Sequence, residues 1–110
     1  CNKEQNLDTT VIGEVINHNS IGVANVTIYI MRGKSNPDNW WPANYQKYDS
    51  VLTNAVGEYY YLIKHDTYSY QICCTVPSGY SKVDEFCKKV TKVLEMANPA
   101  PNIINFKLSP

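Results

Sequence analysis

Apolar and polar residues alternate with a period of two along most of this chain, and that pattern predicts strands. Residues 9–17 (TTVIGEVIN) place Val11, Gly13 and Val15 on one face. After the turn-forming His18-Asn19-Ser20-Ile21-Gly22 comes VANVTIYIM, where Ala24, Val26, Ile28 and Ile30 alternate with Asn25, Thr27 and Tyr29. A short strand is expected over 49–53. Asn54-Ala55-Val56-Gly57 then forms a turn, and EYYYLI directs Tyr59, Tyr61 and Ile63 to one side. YSYQICCTV sets Tyr68, Tyr70, Ile72, Cys74 and Val76 on a common face, and Pro77-Ser78-Gly79 ends the run. Near the end, NIINFKL aligns Ile104, Phe106 and Leu108.

Two stretches depart from this rhythm. Residues 32–48 (RGKSNPDNWWPANYQKY) lack a sustained period, contain two prolines and read as one long aromatic loop. Residues 81–97 carry Val83, Phe86, Cys87, Val90, Val93, Leu94 and Ala97 at helical spacing. Ser81 and Asp84 could form a capping box there, and Asn98-Pro99 would stop a helix. Read alone the segment is an amphipathic helix, whereas the all-β context favours a strand at about 88–95. The strand is the expectation, with the helix as its alternative.

The pattern predicts a single all-β domain over 9–110, a sandwich of seven strands in two sheets, preceded by a flexible polar tether over 1–8. Composition agrees. Nine tyrosines and two tryptophans suit pleated surfaces better than helices. Ten basic and ten acidic side chains cancel and are scattered, so no basic face points to nucleic acid. No apolar run is long enough to span a bilayer.

The order of short elements adds a resemblance. Val11-Ile12-Gly13-Glu14-Val15, a G-V-x-x-V-x-I run over 22–28, the turn and strand over 53–61, Tyr68–Ile72, Gly79-Tyr80 and Asn105-Phe106-Lys107-Leu108 together resemble the carboxypeptidase regulatory-like family. That resemblance implies a transthyretin-like (prealbumin-like, Ig-like) sandwich serving as a non-catalytic accessory or structural module. Cys1 followed by Asn2-Lys3-Glu4-Gln5-Asn6 resembles a mature bacterial lipoprotein. This implies lipid attachment at Cys1, a place at the outer membrane or cell surface, and contact with the membrane through that lipid only. Two or more acyl chains give stable anchoring.

If Cys1 is lipidated, Cys73, Cys74 and Cys87 remain. A bridge between adjacent cysteines is strained, so Cys87 is expected to pair with Cys73 or Cys74. Neighbouring residues of a strand face opposite ways, so one of the two stays a buried thiol. The one aromatic cluster suited to a ligand is Trp40, Trp41, Tyr45 and Tyr48, which could stack on sugar rings or fill a partner's pocket. The alternative is that this loop folds back as a lid on the core.

No catalytic residues, metal ligands or cofactor site are expected. His18 and His65 sit in turns, and no HExxH, CxxC, GxSxG or phosphate-binding glycine loop occurs. Asp8, Asp49, Asp66 and Asp84 lack the spacing of a calcium loop. Related sandwiches in pilins and adhesins crosslink a lysine of the first strand to an asparagine of the last. Asn105 could serve, but 9–17 contains no lysine. The Asn25-Val26-Thr27 sequon is expected mid-strand. Two roles follow: an extracytoplasmic structural or protein-interaction module, or a carbohydrate-binding module using the aromatic loop.

Overall fold

The structure is a computed structural model that describes residues 7–34, 45–66, 68–93, 96–98 and 100–110. Cys1, Trp40 and Trp41 lie outside the described residues. Nine strand segments form, and no α-helix occurs among the described residues. They are β1 (Thr9–Ile16), β2 (Thr27–Lys34), β3 (Gln46–Leu52), β4 (Glu58–Ile63), β5 (Tyr68–Cys74), β6 (Lys82–Val83), β7 (Cys87–Lys89), β8 (Asn102–Ile103) and β9 (Phe106–Ser109). One sheet runs β4-β1-β9-β6 with β8 also beside β1, and the other runs β3-β2-β5-β7.

The expected two-sheet sandwich is present. Its core is built from the predicted inward residues: Val11 and Val15 of β1, Ile28 and Ile30 of β2, Tyr59 and Ile63 of β4, Tyr70, Ile72 and Cys74 of β5, and Ile104, Phe106 and Leu108 of the last segment. Each such large side chain contributes about 1.5–3 kcal/mol on leaving water. Two glycines permit close approach. A Cβ on Gly13 would lie 1.8 Å from the Ile104 carbonyl oxygen. Gly57 has φ 81° and closes the Asn54 turn, where Asn54 Oδ1 accepts the N–H groups of Val56 (3.0 Å) and Glu58 (2.9 Å).

Several boundaries differ from expectation, each for a local reason. Among the described residues there are nine segments rather than seven, because residues 81–97 hold two short strands and the last segment is interrupted at Ile104 and Asn105. The expected loop over 32–48 is strand at both ends, since β2 continues to Lys34 and β3 begins at Gln46. Ile30 pairs with Asp49 but Met31 pairs with Lys47. Tyr48 is therefore the extra residue of a β-bulge, and the bulge breaks the alternation on which the reading relied.

The strand predicted from Val23 starts only at Thr27. Asn25 has φ 59° in a turn held by Thr53, whose Oγ1 donates to the Val23 carbonyl (2.6 Å) and accepts from Val26 N–H (2.9 Å). Ala24 is accordingly exposed, and the Asn25 sequon is not mid-strand.

Among the described residues of 81–97 no α-helix forms, and the strand expected over 88–95 is present only as β7, Cys87–Lys89. The apolar residues there go to different places: Val90 enters the core, while Phe86 faces solvent. Asp84 Oδ1 accepts Lys107 N–H (3.0 Å) instead of capping a helix. β7 ends at Lys89, and Val90 N–H then donates to the Tyr70 carbonyl (3.1 Å). Asp8, at the end of the expected tether, accepts His65 N–H at 2.9 Å.

Candidate functional site

The aromatic cluster predicted from sequence is represented among the described residues by Tyr45 and Tyr48. Tyr45 is half-buried just before β3. Tyr48, turned by the bulge, stacks on the Arg32 guanidinium (3.9 Å to the ring centre), and Tyr68 stacks on the same cation (4.3 Å). Tyr70 meets Tyr48 edge to face, with ring centres 6.2 Å apart. Beneath these rings, the Tyr70 hydroxyl donates to Asp66 Oδ2. Lys92 Nζ, nearly buried, donates to Asp66 Oδ1 (2.9 Å), the Asp66 carbonyl (2.6 Å) and the Tyr68 carbonyl (2.9 Å).

Partial burial pushes the Asp66 carboxyl up, but hydrogen bonds from Tyr70, Lys92 and the Tyr68 N–H outweigh it and hold it below the usual carboxylate range. Burial, then the bond to Asp66, pushes the Tyr70 hydroxyl up to about 12. Every charge in this cluster already has a partner. It is a brace across β2, β3 and β5, and one face of Tyr48 is occupied by Arg32.

The cysteines resolve as Cys73–Cys87, directly opposite one another in the β5–β7 register. Cys74 points into the core as a free thiol, which burial pushes up to about 12. A thiol in that state is a weak nucleophile. Among the described residues, no group of three or more His, Cys, Asp or Glu could hold a metal ion.

A second surface was not anticipated. Register places Tyr60 of β4, Ile12 of β1 and Ile103 of β8 in one row across the outer face of the sheet. Tyr60 is 59% exposed and Ile103 68%. With Leu52, 60% exposed, they line an open groove of about 690 Å³. Glu14 and Glu58 stand on the same face as direct cross-strand partners, both exposed, and neither forms an ion pair among the described residues. Like charges so placed destabilise a sheet. Asn105 borders the groove, its Oδ1 accepting Glu14 N–H at 3.0 Å. The arrangement can bury an apolar side chain and receive a cation beside it.

A sequence signal for this groove exists. Val11-Ile12, Tyr59-Tyr60-Tyr61 and Ile103-Ile104 are apolar at consecutive positions, so both faces of those strands are apolar where one should be polar.

No protein-family profile matches the sequence, and no curated protein matches it. Among solved structures, a streptococcal ancillary pilin is similar over 97% of this chain at 14% identity, with a TM-score of 0.65. The match spans 34% of that pilin, so this chain covers about a third of its length. In fold, the chain is similar to about a third of the streptococcal ancillary pilin.

Proposed function

We propose that this domain is a non-catalytic structural or protein-interaction module working outside the cytoplasm, with the groove on β4, β1 and β8 as its contact surface. The observation that carries this reading is the row Tyr60, Ile12 and Ile103, an apolar surface left open on a sheet whose other face is already packed. The Cys73–Cys87 bond fits an oxidising compartment. The fold likeness to a pilin and the resemblance to carboxypeptidase regulatory-like domains both support an accessory role at a cell surface.

The test is a photo-activatable crosslinker at position 103 of the protein in its native host. It should yield a discrete covalent adduct with a protein, while the same group at exposed Ser78 should not. Equal or absent adducts at both positions would remove the groove from consideration. Glycan-array binding abolished by Tyr48→Ala would instead establish the carbohydrate-binding alternative through Trp40, Trp41, Tyr45 and Tyr48. Lipid attachment at Cys1 is a separate proposal, and an unmodified Cys1 in the mass spectrum of the native protein would end it.

A further inference from the structure

Phe86 lies in the link that carries the chain from β6, at the far edge of the sheet with the groove, to β7, at the edge of the other sheet. It is 58% exposed, yet its backbone is tightly held. The Phe86 carbonyl accepts Cys74 N–H (2.9 Å), Asp84 N–H donates to the Lys107 carbonyl (2.8 Å), and Cys87 is bonded to Cys73. A large apolar side chain presented on a pinned backbone binds with little ordering cost. Its neighbours along the chain are Lys82, Lys88 and Lys89 with Asp84 and Glu85. Lys88 is engaged with Asp84 at 3.1 Å, while Lys82 and Lys89 are exposed and form no ion pair among the described residues. Glu85 is the remaining acid between them.

The groove is the counterpart of this knob: an apolar floor with two unpaired carboxylates, Glu14 and Glu58, at its side. We infer that the groove receives Phe86 of a second copy of this chain, with Lys82 and Lys89 of that copy facing Glu14 and Glu58, so that copies associate head to tail. This rests on the groove being a protein-contact surface and names its occupant. Knob and groove are different surfaces, the groove on β4, β1 and β8 and the knob where the chain enters β7 of the other sheet, so the contact is heterologous and its repetition builds a ring or an open row. One buried aromatic covers about 150–250 Å², well short of a standard interface of about 1,600 Å², so the association is weak and local concentration governs it.

Sedimentation velocity of the oxidised full chain, at concentrations up to about 1 mM, tests this. Mass-action growth beyond the monomer is expected, and it should weaken as salt rises. Tyr60→Lys, which closes the groove, and Phe86→Ala, which removes the knob, should each reduce association by roughly thirtyfold, the loss of one hot-spot residue. Both positions are exposed, and unchanged melting temperatures would confirm intact folds. Mixing the two variants should restore association, but only to a 1:1 heterodimer, because one groove and one knob survive in the pair.

A monomer throughout the range would overturn self-association, leaving the groove to be judged by crosslinking at position 103. Association that survives Tyr60→Lys would overturn this inference and also discount the groove. Loss in both variants without rescue on mixing would indicate a symmetric contact and overturn the head-to-tail pairing.

Discussion

The cluster around Tyr48 and the groove around Tyr60 draw on the same residue types, and they end in opposite states. Around Tyr48, Arg32 lies between two rings, Asp66 is held by Tyr70 and Lys92, and Lys92 spends its hydrogens on three oxygens. Around Tyr60, the ring is open to solvent and two carboxylates face each other without an ion pair among the described residues. A surface whose polar groups are satisfied internally serves stability. One that leaves like charges adjacent and apolar rows uncovered has that energy available for a partner. Aromatic content alone, the feature that drew attention to Tyr48, does not separate the two.

The largest expected effect comes from breaking the groove at its base. Gly13→Ala would force a methyl into the Ile104 carbonyl, which also accepts the Tyr59 hydroxyl at 2.5 Å. A loss of about 4 kcal/mol is expected by urea unfolding, because backbone as well as side chain must move.

Cys87→Ala follows. In the oxidised protein, loss of a bond closing a separation of 14 residues should cost about 3 kcal/mol and lower the melting temperature clearly, with little effect under reductant. It would also release the pinned backbone that presents Phe86.

Lys92→Met should cost about 2 kcal/mol in chemical denaturation, since Asp66 keeps Tyr70 but loses its cation in a partly buried site. An unchanged stability would mean that the brace is ornamental and the contrast with the groove false.

A pH titration of stability sharpens the same contrast. The folded Asp66 carboxyl is held below its ordinary 3.8, so the unfolded chain takes up the proton first on acidification. The contribution present above about pH 4 is therefore lost as pH falls through the depressed value. Tyr70 and Cys74 behave oppositely: both are pushed up to about 12, so their contribution is present at neutral pH. It declines as pH rises from about 9–10 towards 12, where only the unfolded chain releases its protons. Lys92→Met should flatten the acid limb.

The smallest effect has the opposite sign. Glu58→Gln relieves the cross-strand repulsion with Glu14 and should stabilise the domain by about 0.2–1 kcal/mol in thermal melts. It should also weaken any association that uses the groove.

The inner faces of β1, β4, β5 and β9 were legible in the sequence because each strand packs one face, and burial imposes a period of two. The bulge at Tyr48 hid the start of β3, because one extra residue inverts the phase of everything before it. Residues 81–97 misled for a different reason. Two strands of two and three residues are too short to show a period, and the apolar residues linking them chanced on helical spacing. The groove went unread because strands apolar on both faces look merely hydrophobic until register shows which residues line up. Pairing of Cys87 with one of two neighbours was legible, but the choice between them depends on which side of β5 faces the core.

That choice bears on how the chain matures. Cys74 differs from Cys73 by a single residue, so Cys87 has a near-identical wrong partner beside the right one. Bonding to Cys74 within the same ladder would slip β5 by one place and turn Tyr70 and Ile72 outward. Such an isomer would lack much of the core, whereas the Cys73 bond keeps β5 in the register that buries Tyr70 and Ile72. Burial of one face of β5 therefore favours the Cys73 bond over the Cys74 bond wherever the two can exchange.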